Sequence, residues 1–379
     1  MNKKKLLFYT KMNFGNVANS GIKNKVFAQL KAFRNLDFDT DIFYFENKEI
    51  IIEGDNANTR KTFDSKLKFI QYLYFGFLNH VDIEKYDMVY IRHFLTNPLF
   101  LFALKTIKKR NPNIKILMEL PTYPYKFQNH KLSLSLRIQQ KIDDLCVPFF
   151  KKYINQIVTI SLDKEIFGIR TIITDNGIDV DKYGVIVPNK STDKTIHLLG
   201  LANVQSWHGF DRILEGLANY KKTKSKINVV FHVVGNGDVL DELKSQAQRN
   251  DLSDCVIFHG FLTGIDLEEM FSKCQIGVAV LGLHRVNLHH ASALKAREFT
   301  SRGLPFMASH DDYGFPDSYP YILKVPSTND PINIESVIKF VNTLDEHPNY
   351  HIEMNNYARN NFKWETMLKP IKDYLTEFE

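Results

Sequence analysis

The sequence predicts an α/β protein of two Rossmann-like, doubly wound domains that face each other across a cleft. Three observations predict it. The chain has 379 residues, too many for one ordinary core and enough for two domains of about 150–200 residues. Short apolar runs alternate with amphipathic helical runs almost throughout, the pattern of βαβ units and parallel sheets. That series occurs twice, on either side of a turn-rich stretch at Ile178–Asp193 that contains Gly184 and Pro188.

In the first series, strands are expected at Lys5–Thr10, Thr40–Phe45, Met88–Arg92, Ile114–Leu120 and Ile157–Ile160. Helices are expected at Gly21–Phe33, Pro98–Lys109 and Leu132–Lys152. The second series gives strands at Thr195–Leu201, Asn228–Gly235, Val256–Phe258, Ile276–Val280, Pro305–Ser309 and Tyr321–Val325. Its helices are expected at Gly209–Tyr220, Val239–Arg249, Gly264–Lys273, Ser292–Arg302 and Ile334–Leu344. The resulting domains are residues 1–180, residues 181–362, and a C-terminal helix at 363–379 crossing back to the first domain.

Composition narrows the function classes. Hydrophobic residues make up 44% and charged residues 24%, the balance of a folded chain rather than a disordered one. Cys146, Cys255 and Cys274 are widely spaced and odd in number, so neither a disulfide framework nor a zinc site is expected. Met1–Thr10 puts basic residues before apolar ones, but the apolar run is too short for a secretory leader. No stretch approaches the ~20 apolar residues of a membrane span.

Charge divides unevenly. Residues 1–180 hold 28 Lys and Arg against 18 Asp and Glu, whereas residues 181–379 hold 21 against 25. Basic clusters at Lys105, Lys108, Lys109, Arg110 and Lys115, and at Lys126, His130, Lys131, Arg137 and Lys141, suit an anionic membrane surface beside apolar Leu132, Leu134 and Leu136. A plain solvated basic face fits the same residues. The expected location is the cytoplasm, peripheral to the inner face of the cell membrane. The many aromatics fall on core positions and make no stacking platform, so no nucleic-acid partner is expected.

Three segments of the second half carry candidate chemistry. After strand Thr195–Leu201, the string from Ala202 to Ile213 leads through Trp207, His208 and Gly209 into a helix. A strand–loop–helix junction aims backbone N–H groups and the positive end of a helix at an anion, with His208 and Arg212 as added charge. Gly235-Asn-Gly-Asp238 allows close backbone approach after the next strand. The third segment, Leu281–Pro305, holds Arg285, His290, Ser292, Ala293, Leu294, Lys295 and Glu298. Ser292 is the expected N-cap. Lys295 and Glu298, three residues apart, share a helix face. The first-turn N–H groups, with Arg285 and Lys295, suit a diphosphate, and Glu298 suits the hydroxyls of a ribose. A structural turn and a surface ion pair are the plain alternatives.

These strings resemble the retaining glycosyltransferases of family four. Asp175-Asn-Gly-Ile-Asp179, Trp207–Arg212, Val234-Gly-Asn-Gly237, Val256–Phe261 and Leu294–Pro305 stand in that family's order and spacing. Asn19-Ser-Gly-Ile22 and Thr159-Ile-Ser161 join them in the first half. Glu119-Leu-Pro-Thr-Tyr-Pro-Tyr125 is similar to a bacterial branch that builds surface or capsular polysaccharide.

The resemblance implies the GT-B fold and a UDP- or GDP-linked sugar as donor. It also implies a glycan or lipid-linked glycan as acceptor, retention of configuration, and no metal or other cofactor. By that likeness Glu298 matches the second glutamate of the family's Glu-x7-Glu motif and holds the ribose. Ser292, Ala293, Leu294 and Lys295 lie at the diphosphate, Gly21 approaches the donor phosphate, and Glu119 lies at the reacting face of the sugar. Glu119, Arg285 and Lys295 are then the catalytic candidates. The donor-binding candidates are Gly21, His208, Arg212, Gly235, His290, Ser292, Ala293, Leu294 and Glu298.

Two departures stand out. His290 replaces the first glutamate, and Ala202 and His208 replace the family's usual Arg and Lys. They keep open a non-catalytic glycan-binding or scaffold role. A sugar-nucleotide epimerase of the same fold is the other alternative.

Overall fold

The computed structural model describes residues 3–16, 19–125, 133–187, 195–223, 227–344 and 346–376. Lys126, His130, Lys131 and Leu132, and the Pro188–Asp193 part of the expected join, lie outside the described residues. The chain divides into two compact units, Met1–Asp175 with Trp364–Glu379, and Asn176–Lys363.

The first unit runs β1 (Lys4–Asn13), α1 (Ser20–Asn35), β2 (Phe38–Glu46), β3 (Glu49–Gly54), β4 (Asn58–Thr62), α2 (Lys66–Tyr74), β5 (Met88–Arg92), α3 (Pro98–Arg110), β6 (Lys115–Leu120), α4 (Leu134–Cys146), β7 (Gln156–Thr159), β8 (Glu165–Ile166) and β9 (Ile169–Ile173). Its sheet has the order β4-β3-β2-β1-β5-β6-β7-β9-β8. The strands from β2 through β1, β5, β6 and β7 to β9 pair in parallel, while β3, β4 and β8 add antiparallel edges. Parallel strands covered on both faces read as unbroken apolar runs. Accordingly Leu6, Leu7, Phe8 and Tyr9 are all buried, alternating between two core clusters.

The hairpin β3–β4 and helix α2 are absent from the sequence expectations. β4, Asn58-Thr-Arg-Lys-Thr62, is polar and largely exposed, as an edge strand protected by charge tends to be. It shows no apolar alternation to read. The expected helix Leu132–Lys152 is α-helical only over α4 and tightens into a 3-10 turn at Val147–Lys152. Pro148 cannot donate a backbone N–H there.

The second unit runs β10 (Thr195–Leu201), α5 (Phe210–Lys221), β11 (Asn228–Val234), α6 (Leu240–Arg249), β12 (Val256–Gly260), α7 (Gly264–Lys273), β13 (Ile276–Val278), α8 (Leu294–Arg302), β14 (Phe306–Ala308), β15 (Ile322–Lys324), α9 (Ile334–Leu344) and α10 (Tyr350–Asn361). Every strand pair is parallel, in the order β12-β11-β10-β13-β14-β15. Strand order reverses beside β10, so the crevice outside its carboxyl end is where such a sheet takes a ligand.

Helix α11 (Trp364–Thr376) belongs to the first unit. Its Trp364, Leu368, Ile371 and Leu375 join Val26, Leu30 and Phe33 of α1 in one core cluster. Among the described residues no helix is long and apolar enough to cross a membrane. Cys146 and Cys274 are buried and all three cysteines are unbridged.

Candidate functional site

At the carboxyl ends of β10, β11 and β13 three loops are bound to one another. Ala202 N donates to Val234 O at 3.0 Å, and Val204 N to Asn236 O at 2.6 Å. Gly235 adopts φ +116°, and any side chain there would bring its Cβ within 1.9 Å of Ala202 O. Glycine is therefore required for the contact itself. Gly209 adopts φ +68° against Leu281, and Leu281 N and Gly282 N donate to His208 O and Trp207 O.

Two helices begin at this switch point without a side-chain cap. Gly209 is the N-cap of α5 and Ala293 that of α8, and neither receives a capping bond. The first turn of a helix leaves N–H groups without intrahelical acceptors. Ser292, expected as the cap of α8, is instead buried against the start of the unit. Its Oγ accepts from Asn176 N at 3.2 Å and from Arg297 Nη2 at 3.1 Å, and its carbonyl accepts from Asn176 Nδ2 at 2.6 Å. Ala293 is half-buried and Leu294 is 39% exposed.

Lys295 lies in the first turn of α8. Its Nζ is buried and has no hydrogen-bond partner among the described residues. Burial lowers its pKa to about 7, because desolvation disfavours the charged amine. Its charge reaches His208, whose pKa is lowered to about 2 by burial first and by Lys295 second. The Nδ1 of His208 accepts from Gln205 N at 3.0 Å. The neutral ring thus carries its proton on Nε2 and presents a donor. A neutral donor and a desolvated amine stand beside two open helix starts.

Both arginines expected to add charge here are engaged elsewhere. Arg212 is 1% exposed. It donates to the carbonyls of Asp330, Leu281 and Pro326, so it fastens loops instead of offering a free fork. Arg285 makes a two-pronged pair with Asp211, both bonds 2.8 Å, and also donates to Ser206 O and Asn329 Oδ1. Asp211 balances its charge. Sequence spacing cannot show what a guanidinium already touches.

Glu298 lies one turn beyond Lys295. Its Oε1 accepts from Arg302 Nε at 3.0 Å, and its side chain keeps 20% of its surface. Burial raises its pKa, with Arg302 opposing. Oε2 takes no hydrogen bond from the described residues, which leaves an acceptor open. His290 bonds Asp311 O through Nδ1 at 2.9 Å and lies 4.1 Å, centroid to centroid, from the Tyr313 ring.

In the first unit, Gly21 sits in the first turn of α1 with open space around it. Glu119, at the carboxyl end of β6, is 4% exposed. Lys25 Nζ is 3.0 Å and Gln29 Nε2 3.2 Å from its Oε1, and Arg92 Nη1 is 2.8 Å from its Oε2. Burial raises its pKa, but Arg92 and Lys25 overcome that and hold it at about 2. With both oxygens committed, this carboxylate holds two cations in place and has no proton to exchange near neutrality.

Sequence reasoning missed Lys25, Gln29 and Arg92, which converge from α1 and β5, and Arg297. Arg297 is fully buried, pairs with both oxygens of Asp312 at 2.7 and 2.9 Å, and lies 4.1 Å over the Phe362 ring. The clue to Arg297 was its place on the apolar face of α8 between Ala296 and Phe299.

Residues 186–319, inside the second unit, match the family model described as glycosyl transferases group 1. No curated protein sequence matches the chain. Several solved structures share its fold over nearly the whole length. The Anabaena protein Alr3699/HepE, crystallised with UDP and glucose, is 15% identical with a TM-score of 0.59, covering 99% of this chain and 100% of that one. A glycosyltransferase from Rickettsia africae is 13% identical with a TM-score of 0.64, covering 100% and 99%. Sucrose-phosphate synthase from Thermosynechococcus elongatus is 12% identical with a TM-score of 0.63, covering 99% of each. The chain therefore has the fold of the GT-B glycosyltransferases, and its residues 186–319 carry the sequence pattern of glycosyl transferases group 1.

Proposed function

We propose that the chain is a glycosyltransferase that moves a sugar from a UDP- or GDP-linked donor to a glycan or lipid-linked glycan acceptor in surface polysaccharide synthesis. One observation carries this reading. Lys295, its Nζ buried and without a hydrogen-bond partner among the described residues, stands on the first turn of uncapped α8 and beside His208, the residue before the uncapped start of α5. A buried amine without a counter-charge costs stability, and a bound diphosphate supplies that counter-charge. HepE, a neighbour in fold, was crystallised with UDP both with and without glucose, and residues 186–319 match the group 1 family model.

In the reaction, the bond between the sugar's anomeric carbon and the diphosphate oxygen breaks as an acceptor hydroxyl attacks that carbon. The diphosphate gains negative charge as it leaves. Helix-start N–H groups, the Nε2–H of His208 and the Lys295 ammonium stabilise that charge without reorganising. Glu298 holds the ribose through its open oxygen. The acceptor proton passes to the departing phosphate on the same face, with retention, no covalent enzyme intermediate and no metal. The first domain takes the acceptor and the second the donor. An exposed line of Leu134, Ile138, Lys141 and Leu145 on α4, spaced to share one helix face, supports a seat on an anionic membrane surface.

A non-catalytic glycan-binding or scaffold role is favoured by the internal pairing of Arg212 and Arg285. A panel of UDP- and GDP-sugars, tested for protection against heat unfolding and then for transfer to glycan acceptors with the product anomer determined, separates the readings. Protection followed by a retained glycoside is the expected outcome. Protection without turnover under any acceptor supports the scaffold. Interconversion of donor sugars with no acceptor present points to an epimerase.

A further inference from the structure

The first unit holds a second desolvated cation, at the place where its sheet would receive a ligand. Lys11 lies near the carboxyl end of β1, which pairs with β2 on one side and β5 on the other, so strand order reverses there. Its Nζ sits 4.1 Å from the ring centroid of Phe94, just past the end of β5, and 4.4 Å from that of Tyr74, the last residue of α2. It hydrogen-bonds Tyr74 Oη. No carboxylate of the described residues pairs with it. Burial lowers its pKa to about 8.

The hydrogen-bond inventory around it is one-sided. Tyr74, 3% exposed, accepts from Lys11 Nζ and from Asn97 Nδ2, the latter at 2.7 Å. A phenol oxygen accepts two bonds and donates one, so both acceptor positions are filled and the O–H proton is left to give. Among the described residues nothing receives it. Asn97 Oδ1 accepts from Phe100 N at 3.0 Å as the cap of α3, and beyond the bond to Tyr74 one hydrogen of its amide remains to give. The neighbouring Tyr9 Oη donates to Leu73 O at 2.8 Å, burial keeps it protonated, and no hydrogen bond links it to Tyr74. Lys11, Tyr74 and Asn97 thus offer N–H and O–H groups from three elements, with aromatic faces beside them.

We propose that Lys11, Tyr74 and Asn97 form a subsite for a negatively charged group of the acceptor, a carboxylate or a phosphate, with Phe94 stacking beside the group that carries it. The subsite rests on the transferase reading for its word acceptor. Its chemistry, three donors converging with no anion among the described residues, rests on the first unit alone. The carboxylate source is an acidic sugar, and the phosphate source is a sugar phosphate or the head of a lipid-linked acceptor.

The test reads Lys11 directly, without nucleotide. The full chain is grown with ¹³Cε-lysine, and the Lys11 signal is assigned by its loss in Lys11→Arg. Its titration midpoint is then followed with glucuronic acid, glucose 1-phosphate or neutral glucose. The midpoint is expected to rise with at least one anionic probe and to stay put with glucose. A response to glucuronic acid alone identifies an acidic sugar, and a response to glucose 1-phosphate alone a phosphate. Lys11→Met should weaken binding of the responding probe about tenfold or more, the worth of one charge-assisted bond, and Lys11→Arg should largely keep it. An unmoved midpoint with both anions, or equal movement with glucose, overturns the proposal. If Lys11→Met does not fold, the wild-type midpoints decide. Failure of UDP and GDP to bind would remove the transferase reading and leave this measurement standing.

Discussion

Lys295 and Glu119 show two opposite ways of keeping a charge inside a protein. Glu119 has its counter-charges built in, from Lys25 and Arg92. Lys295 has none. Folding lowers the Lys295 pKa to about 7 from 10.5, so the protonated form is the one disfavoured. Its penalty is full below about pH 7 and fades as pH rises toward 10.5. Lys295→Met should therefore raise the melting temperature of the free protein, by about 1–3 kcal/mol of stability, and more at pH 6 than at pH 10. Scanning calorimetry at the two pH values checks this, and a lower melting temperature at both would show that the amine has an internal partner. At Glu298, replacement by Gln should weaken UDP binding about tenfold while leaving stability within about 1 kcal/mol, as expected for one hydrogen bond to a charged group. Isothermal titration reads the first and thermal unfolding the second. At this scale the sequence made Lys295 and Glu298 visible, because three-residue spacing on a helix start is a pattern. Lys11 was invisible, and Arg297 showed only its place on an apolar helix face. Their meaning lies in partners distant along the chain, Tyr74 and Asp312 among them.

Among the elements, α8 is anchored by the part of it that never meets solvent. Arg297 bonds Asp312, Ser292 Oγ and Asn176 O, and so ties the start of the second unit to the loop after β14. Arg297→Met should cost about 3–5 kcal/mol, the usual result of leaving one buried charge, here Asp312, without its partner. Denaturant unfolding would show it. Helix α1 is fixed likewise through Lys25 and Gln29 to Glu119. The folded carboxyl titrates near 2, below its ordinary 4.5. Its stabilising contribution is therefore complete above about pH 4.5 and lost as pH falls toward 2. Glu119→Gln should flatten that acid limb of the stability profile. Element boundaries followed periodicity closely where helices are amphipathic, as in α7 and α9. They failed at β3–β4, where one strand is too polar and both are too short to show a period, and at the start of α8. There a serine in the sequence position of a cap is drawn inward by Asn176 and Arg297 instead.

For the whole molecule, the chain order and the unit order differ. The last helix, α11, buries Trp364, Leu368, Ile371 and Leu375 in the core of the first unit. Each such side chain contributes roughly 1.5–3 kcal/mol of burial. Truncation before Trp364 should therefore destabilise residues 1–175 by several kcal/mol and spare 176–363. Hydrogen exchange resolved by segment would show protection falling in the first unit only. The doubled βαβ series was legible from alternation alone, since buried parallel strands need long apolar runs. Membership of α11 was not, because an amphipathic helix announces a buried face without saying which core receives it.

In the proposed function the second unit's open helix starts and Lys295 hold a nucleotide's diphosphate. Calorimetric titration of UDP and GDP into the wild type and Lys295→Met, at pH 6.5 and pH 9, tests it most directly. Binding to the wild type should weaken with rising pH as the amine loses its proton. Lys295→Met should bind about tenfold or more weakly at pH 6.5, the scale of one lost charge-assisted bond, with little change by pH 9. Equal affinity of the two proteins at pH 6.5, or no binding of either nucleotide to the wild type, would contradict it.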